Sequence, residues 1–159
     1  MQRVYFDSAA TTKLRPEVIE KMVSVLNDYG NPSSTHGYGR SAKNHIEQAR
    51  KNIAGYLGVK ASEIIFTSGG TEADNLAINS AVRDLGVQHI ITSKIEHHAV
   101  LHTVQEIEKY QGIQVSYVAI KNCGSVDYDH LENLLKESDK KTLVSLMHVN
   151  NEVGTILDI

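Results

Sequence analysis

The strongest constraint on the fold is an alternation of short β-rich runs with amphipathic helical stretches, which begins at residue 63. A helix between two strands can carry the chain back to the start of a parallel neighbour, and such crossovers place helices on the faces of the sheet. The pattern predicts strands over residues 63–67, 89–92, 115–120 and 143–147, with helices between them. The sequence therefore predicts an α/β fold, a mainly parallel sheet with helices on both faces.

The first 60 residues show a different pattern. Apolar residues at helical spacing predict one helix over residues 16–29 and a second over about 39–57, which is ended by Gly58. The loop between them is rich in turn formers. We therefore expect a helical amino-terminal segment, residues 1–60, ahead of a sheet domain, residues 61–159.

Composition and charge narrow the class of protein. Apolar residues make up 41% of the 159-residue chain and charged residues 22%, the balance of a soluble globular domain. No apolar run approaches the ~18 residues that span a bilayer, and residues 1–7 lack a signal-peptide pattern. We expect a cytoplasmic protein without a membrane partner. The net charge of −3 comes with no basic cluster that would attract nucleic acid.

A glycine-containing turn, Ser68-Gly69-Gly70-Thr71, joins the first predicted strand to a helix predicted over residues 71–85. Glycines allow close backbone approach to a ligand, and the free N–H groups of a helix start can bind an anion such as phosphate. The same residues suit an ordinary tight turn, with Thr71 as the helix cap and Asp74 completing a capping box. The pattern leaves both interpretations open. It is neither a Walker loop nor a dinucleotide-binding fingerprint.

Histidines follow the strand predicted over residues 89–92, in the run Glu96-His97-His98. Ligands of α/β sheets bind beyond the carboxyl ends of strands, where a histidine can stack on an aromatic cofactor or move a proton. A surface histidine pair at a helix start is the plainer interpretation. His98 and His102 lie four residues apart, as helix-borne metal ligands do, but no third ligand is recognisable and we predict no metal site.

A third polar loop follows the strand predicted over residues 143–147, and it contains Asn150-Asn151. Amide side chains at a strand end can hydrogen-bond a ligand, although this pair also suits an ordinary turn. Because the carboxyl ends of parallel strands meet at one edge of a sheet, we expect the three polar loops to converge on one rim.

We assign no catalytic role to two reactive residues near these loops, Lys94 and Cys123. Lys94 is expected to form a solvated ion pair with Glu96. Cys123 lies in a turn without a neighbouring base, and we expect a structural or incidental thiol. As the only cysteine, it also excludes an internal disulfide framework.

Five motifs stand in order along essentially the whole chain: Tyr5-Phe6-Asp7-Ser8-Ala9-Ala10-Thr11-Thr12, Asn31-Pro32-Ser33-Ser34-Thr35-His36, Phe66-Thr67-Ser68-Gly69-Gly70-Thr71-Glu72-Ala73-Asp74-Asn75-Leu76-Ala77-Ile78, Glu96-His97-His98-Ala99-Val100-Leu101 and His148-Val149-Asn150-Asn151-Glu152-Val153-Gly154-Thr155. In order and spacing they resemble NifS/IscS-type cysteine desulfurases, which are pyridoxal 5′-phosphate enzymes of fold type I in the class V aminotransferase group. The resemblance implies part of the large, cofactor-binding domain of these enzymes, preceded by a piece of their small domain.

The resemblance implies roles for four residues. Gly70 and Thr71 match the residues that hold the cofactor phosphate. His97 matches the histidine that lies over the pyridine ring and helps to deprotonate the substrate. Asn151 matches the asparagine that contacts the phenolic oxygen of the cofactor and the carboxylate side of the substrate.

The implied reaction removes sulfur from L-cysteine and leaves L-alanine and an enzyme persulfide. The cofactor serves as an electron sink, and an active-site thiolate attacks the substrate sulfur. The sulfur then passes to an acceptor protein, such as an iron–sulfur scaffold or a tRNA-thiolation enzyme. The resemblance also implies a homodimer for the full-length enzyme, with residues 7–12 and 31–36 in the small domain and at the active-site entrance.

The chain ends at Ile159, directly after a strand and a loop, where doubly wound sheets usually continue. In the family, the lysine that binds the cofactor covalently, the catalytic cysteine, the aspartate at the pyridine nitrogen and the arginine for the substrate carboxylate all lie beyond this point. We therefore expect the amino-terminal part of an enzyme, inactive by itself. Two alternatives share these residues: a selenocysteine lyase-like enzyme, and a non-catalytic fragment that complements a second polypeptide.

Overall fold

The computed structural model describes residues 3–158, which divide into two compact units on either side of the Phe66–Thr67 bond. In chain order the helices and strands are α1 Pro16–Val25, α2 Gly37–Leu57, α3 Gly70–Leu85, β1 His89–Ser93, α4 His98–Gln111, β2 Gln114–Val118, α5 Tyr128–Glu137 and β3 Thr142–Val144. In the described part of the chain, none of the helices has the length and apolar character needed to cross a membrane.

The first helix, α1, is shorter than predicted. It begins at Pro16 but ends at Val25, because the chain then turns and the Tyr29 ring stacks on Tyr38, with ring centroids 5.0 Å apart. Glycine is needed beside this stack, since a Cβ at Gly30 would lie 2.4 Å from the carbonyl oxygen of Tyr38. A contact with a residue later in the chain therefore ends the helix.

The second predicted helix is confirmed as α2. The ring Nδ1 of His36 caps its start by accepting a hydrogen bond of 3.3 Å from the Gly39 N–H. Gly58 ends it at φ 68°, in the left-handed region that glycine enters without strain.

The strand predicted over residues 63–67 is wrong. Ala61–Glu63 forms a 3₁₀ turn, and the segment that follows pairs with no other strand in the part of the chain that the structure describes. Ile65 and Phe66 are 70% and 47% exposed. A strand needs a neighbour to satisfy its backbone N–H and C=O groups, and without one this apolar run forms only a connection.

The capping box predicted at Thr71 and Asp74 is also wrong. The N-cap of α3 is Gly69, which offers no side-chain bond. Glu72 supplies the local contact instead, because its Oε2 accepts hydrogen bonds from both the hydroxyl and the N–H of Ser68, each at 2.6 Å. These bonds, the hydroxyl bond first, lower the pKa of the Glu72 carboxyl.

The other three predicted strands form a parallel sheet, which confirms the α/β class. Their order is β2-β1-β3, so β1 lies in the centre. Ile90 of β1 is opposite Val115 of β2 and Leu143 of β3. Both outer strands end earlier than predicted, at Val118 and Val144.

Successive residues of β1 face opposite sides of the sheet, and helices cover both sides. Ile90 packs in a cluster with residues of α3 and α4, namely Ile78, Ala81, Val100, Val104 and Ile107. Ile91 packs on the other face with Val118, Val126 and, from α5, Leu131 and Leu134. The prediction of helices on both faces is confirmed.

Truncation of the central strand tests this packing. Because the Ile90 side chain is fully buried, we expect Ile90→Ala to lower the free energy of unfolding by about 2–5 kcal/mol. The matched control is Leu85→Ala, whose side chain is 61% exposed and should change stability by less than about 0.5 kcal/mol. Urea unfolding followed by circular dichroism compares the two, and equal effects would contradict the assigned core.

A buried histidine joins the elements at the amino end of the sheet. His89 is 2% exposed, with Nδ1 3.0 Å from the Ser138 hydroxyl and Nε2 2.9 Å from the Ser116 hydroxyl. Burial, and then the charge of Lys140, lowers the pKa of His89 below its ordinary value of 6.5. The native state therefore favours the neutral ring.

This burial predicts acid sensitivity. As pH falls below 6.5, the unfolded chain takes up a proton that native His89 resists, so the free energy of unfolding decreases toward the lower native pKa. We expect His89→Gln to remove the part of the decrease in the free energy of unfolding that His89 causes between about pH 7 and about pH 5. Urea midpoints measure this decrease. His45→Gln, at a partly exposed histidine paired with Asp28, is the control. An unchanged pH dependence in His89→Gln would contradict the assignment.

Candidate functional site

The start of α3 presents three backbone N–H groups, those of Gly70, Thr71 and Glu72. The first bond of the helix is donated by the Ala73 N–H to the Gly69 carbonyl oxygen at 3.1 Å, and the three earlier groups have no acceptor among the described residues. A Cβ at Gly69 or Gly70 would meet nothing within 4 Å, so the space in front of them is open. Free N–H groups at the positive end of a helix dipole favour an anion.

His97 is the N-cap of α4. Its ring Nδ1 accepts a hydrogen bond of 3.1 Å from the Ala99 N–H. A ring nitrogen that accepts a hydrogen bond carries no proton, so this geometry assigns the proton of the neutral ring to Nε2. The capping bond therefore orients the imidazole and leaves Nε2–H as its free donor.

Thr71 and His97 lie on the same open cavity of about 390 Å³. The other lining residues come from α3 and α4, and they are Asn75, His98, Ala99, His102, Thr103 and Glu106. Small-molecule sites commonly occupy about 300–1,000 Å³. Two of the four sequence-predicted site residues thus share a cavity of suitable size, and Gly70 is the neighbour of one of them.

A polar chain connects the starts of the two helices, and sequence analysis missed it. The Asn75 amide donates a hydrogen bond of 2.8 Å to the Thr71 carbonyl oxygen, and its Oδ1 lies 2.7 Å from the Thr103 hydroxyl. That hydroxyl also lies 2.8 Å from the Ala99 carbonyl oxygen. The available signal was the four-residue spacing of Thr71 and Asn75, which places both on one helix face.

The predicted ion pair between Lys94 and Glu96 is wrong. Glu96 is only 9% exposed, and its Oε1 accepts hydrogen bonds from the Met147 N–H at 2.7 Å and from the Ser93 hydroxyl at 3.1 Å. Burial raises the pKa of this carboxyl. Lys94 turns away, with its Nζ 5.9 Å from the centroid of the Tyr117 ring.

Asn151 does not line the cavity shared by Thr71 and His97. It lies in an exposed turn, where its Nδ2 is 3.5 Å from Glu152 Oε1. The neighbouring Asn150 is 4% exposed and donates from Nδ2 to the Ile95 carbonyl oxygen at 2.8 Å. The loop that carries Asn151 is therefore attached to the loop that precedes His97.

The remaining candidates are less constrained. The ring centroids of His98 and His102 are 5.4 Å apart, and residues 3–158 contain no group of three or more His, Cys, Asp or Glu side chains that could hold a metal ion. Cys123 is exposed, and a hydrogen bond with the Ser125 hydroxyl at 3.0 Å lowers the pKa of its thiol. The motifs near Asp7 and Asn31 belong to the first unit.

Fold and sequence together define the class of protein. Residues 4–159 match the family described as aminotransferase class-V, and the chain belongs to that family. Its relatives include cysteine desulfurases named IscS from Dictyoglomus turgidum and Methanosarcina thermophila, each 48% identical over 98% of this chain. The chain spans 39% of the length of both.

Solved structures agree with these relatives. A NifS-like protein superposes with a TM-score of 0.89 at 42% identity, over 98% of this chain and 43% of its own. A structure described as SspA in complex with cysteine superposes with a TM-score of 0.85 at 38% identity, over 96% of this chain and 44% of its own. The resemblance to NifS/IscS-type enzymes and the fold that it implied are confirmed.

The capping role of the His97 side chain can be tested separately from the rest of its ring. Because the ring caps α4, we expect His97→Ala to lower the free energy of unfolding by about 1 kcal/mol. His97→Asn retains a capping side chain and should recover most of this loss. Thermal or urea unfolding measures both variants, and an Asn variant as unstable as the Ala variant would contradict the capping role.

Proposed function

We propose that this chain is the amino-terminal part of a pyridoxal 5′-phosphate-dependent cysteine desulfurase. The whole enzyme would convert L-cysteine to L-alanine and pass the sulfur, as a persulfide, to an iron–sulfur scaffold or a thiolation enzyme. It would act as a homodimer in the cytoplasm. The observation that carries the proposal is the shared cavity of Thr71 and His97, in a chain whose relatives bear the name cysteine desulfurase.

The residues present suit the cofactor. The N–H groups of Gly70, Thr71 and Glu72 have no acceptor among the described residues and would hold its phosphate, as helix starts hold anions. The imidazole of His97, oriented by the capping bond, would lie over the pyridine ring. Asn151 is assigned to the phenolic oxygen by its place in the motif. When bound, the cofactor supplies an electron sink for the substrate.

The capping bond determines how His97 can handle a proton. While Nδ1 accepts from the Ala99 N–H, a neutral ring carries its hydrogen on Nε2 and can only donate there. To take a proton from substrate at Nε2, the ring must first adopt the other tautomer, with the hydrogen on Nδ1. That tautomer loses the bond to Ala99. Proton acceptance at His97 is thus coupled to release of the cap.

Cofactor binding is tested with pyridoxine 5′-phosphate, which lacks the aldehyde and so cannot react with surface lysines. We expect Thr71→Ala, which removes a hydroxyl that lines the cavity but keeps the backbone N–H, and His97→Ala, which removes the ring, each to weaken its binding roughly tenfold. Isothermal titration calorimetry gives the dissociation constants. Pyridoxine without the phosphate should bind much more weakly than the phosphate ester.

The matched control for His97→Ala is His130→Ala, which changes a histidine of α5, on the opposite face of the sheet from α3 and α4, and should leave binding unchanged. Equal affinity for pyridoxine and its phosphate would contradict the helix-start assignment. Equal effects of the His97 and His130 changes would contradict the ring assignment.

The substrate is tested on the full-length enzyme. We expect alanine release from L-cysteine, with kcat lowered at least about tenfold by His97→Ala, as for removal of a proton-transfer group. A selenocysteine lyase-like enzyme would instead release alanine only from L-selenocysteine. No observation favours that alternative or a fragment that complements a second polypeptide.

A further inference from the structure

The Glu96 side chain connects two loops of the candidate site through a hydrogen bond. Its Oε1 accepts a hydrogen bond of 2.7 Å from the backbone N–H of Met147. The two partners lie in different loops, which we call the His97 loop (residues 94–97) and the Asn151 loop (residues 147–153). Since Glu96 is only 9% exposed, water competes little for this bond.

Asn150 connects the same two loops, but here the side chain belongs to the Asn151 loop and the backbone group to the His97 loop. Its Nδ2 donates a hydrogen bond of 2.8 Å to the Ile95 carbonyl oxygen. Its Oδ1 accepts bonds of 2.9 Å from the N–H groups of both Glu152 and Val153, so it also shapes the turn that carries Asn151. Both polar atoms of the Asn150 side chain, Nδ2 and Oδ1, therefore form hydrogen bonds with backbone groups.

The two side chains act on immediate neighbours of the proposed cofactor residues. His97 follows Glu96 in sequence, and Asn151 follows Asn150. One bond runs from each loop to the backbone of the other, so the loops cannot move apart without breaking both. We propose that Glu96 and Asn150 are positioning residues that fix His97 relative to Asn151, an inference that rests on the proposed function.

Direct contact with a cofactor is not their role. Glu96 and Asn150 line a cavity of only about 30 Å³, far below the roughly 300 Å³ that the smallest ligand sites provide. The wider cavity that holds Thr71 and His97 is lined by neither of them. They act through their neighbours in the chain.

The role of Glu96 requires an acceptor oxygen rather than a charge, because both of its bonds are accepted by Oε1. Glu96→Gln keeps that oxygen, whereas Glu96→Met keeps the length of the side chain and removes it. We expect the Met147 amide to exchange with deuterium roughly tenfold faster in Glu96→Met, from loss of one buried hydrogen bond. Glu96→Gln should restore protection to within about threefold. Glu132→Gln, at an exposed glutamate, is the control.

Asn150 offers a second variant that separates its two contacts. Asn150→Asp keeps an oxygen for the Glu152 and Val153 N–H groups but loses the donor to the Ile95 carbonyl oxygen. We expect this variant to retain the turn and to loosen only the connection between the loops. It remains informative if Glu96→Met does not fold.

The deciding readout is the ¹⁵N spectrum of the His97 ring. If Glu96 and Asn150 only stabilised the fold, their replacement would leave this spectrum unchanged. If they position His97, loss of either cross-loop bond should shift the ring resonances and weaken binding of pyridoxine 5′-phosphate roughly threefold to tenfold. Unchanged His97 resonances in both Glu96→Met and Asn150→Asp would overturn the proposal. If wild-type chain does not bind the ligand, the cofactor-binding roles proposed for Gly70, Thr71 and His97 fail, while the exchange and ring measurements still decide whether the two residues position His97.

Discussion

The central strand β1 is the element on which the rest of the second unit depends. All five of its residues are buried, and it pairs with a parallel neighbour on each side. Ile90 and Ile91 extend the core to opposite faces. The carboxyl end of the same strand leads to Glu96 and His97, so the burial that stabilises the fold also determines where the candidate site begins.

The sequence predicted the elements whose signal is local. Strand-like runs bounded by turn residues predicted β1, β2 and β3, and helical spacing predicted the helices between them. The same rules failed over residues 63–67, because an apolar run becomes a strand only if a neighbouring strand pairs with it. They also failed at the end of α1, where stacking of Tyr29 on Tyr38 depends on how a later segment folds back.

Motifs identified Thr71 and His97 as candidate site residues, but not the side chains that hold the neighbouring loops in place. Thr71 and His97 were predicted, and they line one cavity. Asn150 and Asn151 are chemically identical neighbours, and only the conformation of the loop decides that Asn150 turns inward to the Ile95 carbonyl oxygen. Glu96 was misread because a carboxylate beside a lysine suggests a solvated pair, whereas a distant backbone N–H, that of Met147, accounts for its burial.

These features describe a site built from two helix starts, with one presenting amides and the other a ring. Amide and imidazole resonances, mapped by ¹H–¹⁵N spectroscopy as pyridoxine 5′-phosphate is added, test that arrangement most directly. The account predicts that the largest shifts fall on the amides of Gly70, Thr71 and Glu72 and on the ring of His97. Shifts centred on another face of the molecule, with these resonances unmoved, would contradict it.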